Sequence, residues 1–275
     1  MFRRSLLPIV RPRPADAPGL RYDAGVEEDG VILSGTTRVP ATGETYPVKN
    51  GYLDLLKNRL GGDNVANLTN FLPGAGRGYE PLWRVRSLDL LTGAEFSNER
   101  EVSLISDLVG LERGGLFLDL GCSAGLYARN MALALGGSGD VIGLDISPSM
   151  LREAASRSRK AGAGTSLVRA DASSLPFADA SFSGAVCGGT LNELGDPAAA
   201  LRETNRVLQP GARLAIMGIL KAQFPSGRRL QGFLSTGGIR FFSPEDLDGM
   251  LEAAGFSPDP LQTRGAVFFA AGTKL

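Results

Sequence analysis

Three aspartates recur at a constant interval along this 275-residue chain: Asp119, Asp145 and Asp171, each 26 residues from the last. Each closes a mostly apolar run, as in Phe117-Leu118-Asp119, Ile142-Gly143-Leu144-Asp145 and Leu167-Val168-Arg169-Ala170-Asp171. A carboxylate at such a point can accept hydrogen bonds from hydroxyl, amino or backbone N–H groups. Taken singly it is ordinarily a solvated strand end or a helix cap. Three at corresponding points of successive β-α-β steps are all aimed at the carboxyl edge of a sheet, where folds of this kind bind ligands.

The first aspartate leads into a loop of small residues, Gly121-Cys122-Ser123-Ala124-Gly125. Three chemistries use such a loop. As G-x-S-x-G it is a nucleophile elbow, but the chain contains no histidine, so a serine there lacks its usual base. The same absence removes His-containing metal sites and the commonest general base near neutral pH. As a dinucleotide loop it lacks the second glycine of G-x-G-x-x-G, because Ser123 occupies that place. The third reading uses Asp119, whose charge would repel a pyrophosphate and suits a ligand with an amino group and a cationic centre, such as S-adenosylmethionine. Asp145 suits a pair of ribose hydroxyls, which does not choose between that ligand and NAD, and Asp171 suits an adenine amino group.

The elements that must position these residues are short apolar runs alternating with helical patterns from Leu116 onward, the signature of a doubly wound α/β domain. Strands are expected at 116–120, 141–145, 166–169, 182–187 and 213–218. Ser147-Pro148, Asp196-Pro197 and Ser243-Pro244 open helices as N-cap and first-turn proline. Gln209-Pro210-Gly211 ends the second of these. Phe256 to Thr263 and Ala266 to Ala271 read as an antiparallel hairpin at the sheet edge. Lys221 to Phe242, with four glycines and Arg228-Arg229, interrupts the alternation and reads as a lid or a plain surface loop. Ahead of the domain come a β-rich appendage (1–60) and a linker with a helical, substrate-covering region (61–112); the α/β domain spans 113–275.

The loop and the three acids, with Leu175-Pro176-Phe177, Asp179-Ala180-Ser181-Phe182, Asn192-Glu193-Leu194 and Val207-Leu208-Gln209-Pro210-Gly211, resemble the class I S-adenosylmethionine-dependent methyltransferases. The likeness is to the ubiquinone/menaquinone, or type 11, branch and covers about residues 116–218. It implies a seven-stranded, mostly parallel sheet. It also implies a cofactor site made by Asp119, Gly121, Cys122, Ser123, Gly125, Asp145, Ile146, Met150, Asp171, Ala172, Cys187 and Gly188. Tyr46 to Leu56 resembles the end of a zinc-ribbon-like segment found before some methyltransferase domains. The paired cysteines that would hold zinc are missing, since Cys122 and Cys187 are the only two in the chain, so no metal is expected. Methyl transfer needs no dedicated base. If the acceptor must lose a proton, Glu193, Asp196 or Tyr79 could take it, and Asn192 and Glu193 follow the fourth strand, near where the methyl would emerge. Trp83 and Tyr79 read as pocket lining or as core.

The expected function is methylation of a small, apolar or aromatic, quinone-like acceptor by S-adenosylmethionine. An rRNA or tRNA methyltransferase, a non-catalytic S-adenosylmethionine-binding module and an NAD-dependent oxidoreductase are the alternatives. Equal numbers of basic and acidic residues, 29 each, disfavour nucleic acid. No apolar run approaches a membrane span, Met1 to Pro14 does not read as a signal peptide, and two cysteines fit a reducing cytoplasm.

Overall fold

The computed structural model describes residues 2–12, 19–57 and 96–275. Tyr79, Trp83 and most of the expected covering region lie outside the described residues. Thirteen strands form one sheet: β1 (Phe2–Arg3), β2 (Arg21–Glu28), β3 (Val31–Arg38), β4 (Thr45–Lys49), β5 (Tyr52–Asp54), β6 (Gly115–Leu120), β7 (Gly139–Asp145), β8 (Thr165–Arg169), β9 (Phe182–Gly188), β10 (Leu208–Ile219), β11 (Phe256–Pro258), β12 (Gln262–Arg264) and β13 (Val267–Lys274). The described α-helices are α1 (Asn98–Val109), α2 (Leu126–Leu135), α3 (Pro148–Ala161), α4 (Pro197–Val207), α5 (Pro225–Ser235) and α6 (Pro244–Ala253).

The heart of the sheet runs β8-β7-β6-β9-β10-β13-β11, parallel from β8 to β10 and antiparallel at β13. This is the seven-stranded, mostly parallel α/β sheet expected. Its inner strands are apolar on both faces because helices cover both: Phe117, Leu118, Val141, Ile142, Ala185 and Val186 are all fully buried. Strand order reverses between β6 and β9, which opens a crevice at their carboxyl ends.

The caps fall where the sequence places them. Ser147 accepts from the Met150 amide with Pro148 in the first turn, Asp196 accepts from Ala199 at 2.8 Å, and Ser243 with Asp246 makes a capping box. In α3, Met150, Leu151, Ala154, Ala155 and Ser158 form the buried stripe, and Gly162, at φ +68°, closes the helix in the left-handed conformation that glycine adopts without strain.

The antiparallel pairing expected near the C-terminus is present at the end of the sheet, where β11 and β12 pair with β13, and β13 in turn pairs with β10 over seven residues. Val267 to Ala271 is buried throughout, and an uninterrupted apolar run belongs inside a sheet, whereas an edge strand alternates. The β-rich N-terminal part is present, but it continues the main sheet. Leu53 and Asp54 of β5 pair in parallel with Val168 and Arg169 of β8, and Val10 bridges Phe177. Phe2, Leu7, Val10 and Ile32 share one core with Leu144, Val168 and Phe177. Arg169 fastens the junction with Nη1 3.2 Å from Asp54 and Nε donating to the Ile146 carbonyl, both ionic groups being almost fully buried. Among the described residues no helix is long and apolar enough to cross a membrane.

Candidate active site

A cleft opens at the carboxyl ends of β6, β7, β8 and β9. On one wall Asp145 ends β7, and its two oxygens each accept a backbone N–H at 2.8 Å, Oδ2 from Ser123 and Oδ1 from Ser147. Those amides pull its proton affinity down while burial, the larger effect, raises it above the usual aspartate range. Asp171 stands one strand over and accepts both the amide and the hydroxyl of Ser173 on Oδ1. Ile146, Met150 and Ala172 give the wall its apolar surface.

The loop after β6 supplies the floor. Gly121 sits at φ +69°, and a Cβ there would lie 2.2 Å from the Thr190 side chain, so only glycine fits. Ser123, where a glycine is commoner, also takes a positive φ of 48°, a strained conformation for a residue with a Cβ. It is locked there by its bond to Asp145 and by its hydroxyl 3.5 Å from the Met150 sulfur.

The opposite wall is the turn after β9, with Gly188, Gly189, Thr190 and Glu193 lining the cleft. Burial, helped by the negative charge of Asp145, pushes the Glu193 carboxyl up to about 7. Asp196 reaches the rim while its side chain caps α4.

Of the residues expected at the site, Gly121, Ser123, Asp145, Ile146, Met150, Asp171, Ala172, Gly188 and Glu193 meet in this cleft. Asp119, Cys122, Gly125, Cys187 and Asn192 are not among the residues that line this cleft. Asp119 is buried and accepts from the Ala128 amide at 2.8 Å, serving the first turn of α2. Cys122 packs under the loop against Tyr52, Leu151 and Leu167. Cys187 is sealed in the core, its thiol pushed up to about 12 by burial. Gly125 is the buried N-cap of α2, facing Ala154. Asn192 spends its whole amide on structure: Nδ2 donates to the Ile219 and Arg240 carbonyls, and Oδ1 accepts from the Ile219 amide. The sequence reading missed Gly189, Thr190 and Ser173. Its available signal was Gly188-Gly189-Thr190, small residues directly after an apolar strand, the layout that had drawn attention to the loop after β6.

Four carboxyl side chains line this cleft, Asp145, Asp171, Glu193 and Asp196, and among its described lining residues there is no lysine or arginine. Such a surface repels phosphates and attracts a cation.

Residues 118–216 match the family described as Methyltransferase domain. The chain is 38% identical over 120 residues to a 2-phytyl-1,4-naphtoquinone methyltransferase of Synechococcus elongatus, an alignment that covers 43% of this chain and 52% of that protein. It is 29% identical over 170 residues to a demethylmenaquinone methyltransferase of Staphylococcus aureus, covering 54% of this chain and 70% of the other. The match to the first of these thus spans about half of that relative's length. Among solved structures, a phosphoethanolamine N-methyltransferase 2 of Haemonchus contortus, in complex with S-adenosylhomocysteine, shares the fold with a TM-score of 0.58 at 15% identity, over 72% of this chain and 58% of that one. Residues 118–216 are thus similar to a methyltransferase domain, and the sheet around them shares the fold of known methyltransferase structures.

Proposed function

We propose that this chain transfers a methyl group from S-adenosylmethionine to a carbon of a small, apolar, quinone-like aromatic acceptor. The observation that carries the reading is that every charged residue among the cleft's described lining is acidic, which favours a cationic nucleoside over a pyrophosphate. The similarity to two quinone methyltransferases supports the acceptor class.

The residues present fit the cofactor. The Asp145 carboxylate is oriented by the Ser123 and Ser147 amides and lines the cleft, where it can accept from the ribose hydroxyls. Ser173 uses only Oδ1 of Asp171, leaving Oδ2 for the exocyclic amine of adenine. Ile146, Met150 and Ala172 offer apolar contact to the base, and the glycine-rich floor lets the rest of the ligand approach the backbone.

When bound, S-adenosylmethionine supplies an electrophilic methyl carbon already activated by its sulfonium. The chain's work is alignment in a dry site and management of one proton. A hydroquinone ring carbon becomes a strong nucleophile when a ring hydroxyl loses its proton. Glu193 stands on the wall across from Asp145, and with its carboxyl pushed up to about 7 it can accept that proton on a carboxylate oxygen near neutral pH. Asp145, held by two amides, stays fixed as a binding group.

Calorimetric titration with S-adenosylmethionine, S-adenosylhomocysteine and NAD, followed by turnover with a short-chain naphthohydroquinone, tests the proposal. The first two ligands bind, NAD does not, and methyl appears on a ring carbon. Glu193→Gln lowers kcat by roughly 10²–10⁴ with little change in cofactor affinity, and the native rate rises as pH passes through about 7. Binding of NAD in preference, or cofactor binding without transfer to any quinone-like acceptor, overturns it.

A further inference from the structure

The excursion between β10 and α6 is unlike the rest of the surface. Six large apolar residues are well exposed among the described residues, and three of them, Phe224 (62%), Phe233 (73%) and Leu234 (36%), lie on or beside α5. Phe224 and Phe233 are the two exposed phenylalanines among the described residues. From Lys221 to Pro244 there is no acidic residue, while Lys221, Arg228, Arg229 and Arg240 contribute four positive charges in a chain of zero net charge. Arg228, Arg229 and Arg240 are all exposed.

This surface has a fixed relation to the cleft. The excursion leaves from the carboxyl end of β10 and returns where Leu220 bridges Phe242. Gln231 holds α5 down, its Nε2 donating to the Leu220 carbonyl and its Oε1 accepting from Ala222. Arg240 binds the turn after β9 from both sides: its amide donates to the Asn192 carbonyl at 2.7 Å and its guanidinium to the Gly195 carbonyl at 2.7 Å. Glu193 lies between those two anchor points. The apolar, basic surface is thereby attached to the cleft wall opposite Asp145.

We infer that α5 and its flanks, with Phe224 and Phe233 as apolar anchors and Arg228 and Arg229 as cations, dock on the surface of an anionic phospholipid bilayer and bring the cleft to the pool of apolar acceptor dissolved there. The inference rests on the proposed quinone-like acceptor, whose low water solubility gives docking its purpose. Apolar side chains flanked by basic ones are what the boundary between acyl chains and anionic headgroups takes up, and the rest of the chain, with 25 basic and 29 acidic residues once these four cations are set aside from 29 and 29, leaves the attraction to this one face. Exposed phenylalanines set among cations favour lipid over a purely polar partner.

Flotation with vesicles of phosphatidylcholine, alone or mixed with phosphatidylglycerol, tests it on the whole protein. The native chain floats with the mixed vesicles, less so as salt rises, and little with phosphatidylcholine alone. Phe224→Ser with Phe233→Ser, and separately Arg228→Glu with Arg229→Glu, each weaken binding about tenfold or more, while S-adenosylmethionine affinity and melting temperature stay native. With a long-tailed acceptor carried in the vesicles the variants turn over more slowly, and with the short-chain acceptor in water they match the native protein. The short-chain assay reads the proposed function on its own, so the two ideas fail separately. No binding of the native chain to mixed vesicles, or equal binding by both double variants, overturns the inference. So does a dimer that these substitutions dissociate in sedimentation velocity, or an RNA oligonucleotide bound where vesicles are not.

Discussion

The two walls of the cleft are built in opposite ways. The Asp145 and Asp171 wall is over-determined: each carboxylate is held by backbone amides or a neighbouring serine, and behind them Arg169 ties β8 to Asp54 of the N-terminal strands and to the Ile146 carbonyl. The Glu193 wall hangs on a short turn, tied by the Asn192 amide, the Thr190 hydroxyl on the Gly121 carbonyl and the Gly189 amide on the Met217 carbonyl, and beside it lies an excursion whose helix is largely exposed. A ligand common to a whole class of enzymes suits the rigid wall, and an acceptor that differs from one enzyme to another suits the side built from turns and insertions.

The most damaging single change should strike the rigid wall from behind. Asp54→Ala removes a buried carboxylate 3.2 Å from the Arg169 guanidinium and should cost about 3–5 kcal/mol of stability in urea unfolding; a loss under 1 kcal/mol would mean that the N-terminal strands do not buttress the cleft. Next, Asp145→Ala should weaken S-adenosylmethionine binding by about 1–3 kcal/mol by calorimetry, and unchanged affinity would remove Asp145 from the ligand.

A third effect belongs to the other wall and has a definite sign. Glu193 is held near 7, above the ordinary glutamate value of 4.5, so between those values the folded chain binds more protons at this site than the unfolded one. Its contribution to stability is complete below about 4.5 and is lost as pH rises through about 7. Glu193→Gln should therefore have little effect on stability at pH 5 and raise it at pH 8, on the order of 1–3 kcal/mol. A melting difference that is flat with pH would show the carboxyl to be well solvated. The smallest effect is expected at Ser123, whose φ of 48° suits glycine. Ser123→Gly should stabilise by up to about 1 kcal/mol, relief of strain being partly offset by the greater freedom of the unfolded chain, and a destabilised variant would show that the Ser123 hydroxyl contact with Met150 outweighs the strain.

How much could be read in advance divides along local and non-local lines. Strand–loop–helix units from Leu116 onward, the three N-caps and the positions of Asp145 and Asp171 follow from short-range pattern, because a buried parallel strand and a capped helix each announce themselves within about ten residues. The cleft's carboxyl groups are Asp145, Asp171, Glu193 and Asp196, while Asp119 accepts from the Ala128 amide at the start of α2. Spacing fixes how far along a strand a residue stands; side-chain direction at the strand end depends on the turn that follows.

By itself, then, the sequence determined a doubly wound domain and set Asp145 and Asp171 at the ends of its strands, since each is encoded by neighbours in the chain. Only the tertiary structure decided that the N-terminal strands extend the same sheet, that β13 pairs with β10, that Asn192 is spent on backbone groups, and that Glu193 stands half-buried near Asp145 at a raised proton affinity. Each of those depends on which distant segments are brought together, and burial and charge at a given residue are properties of that company.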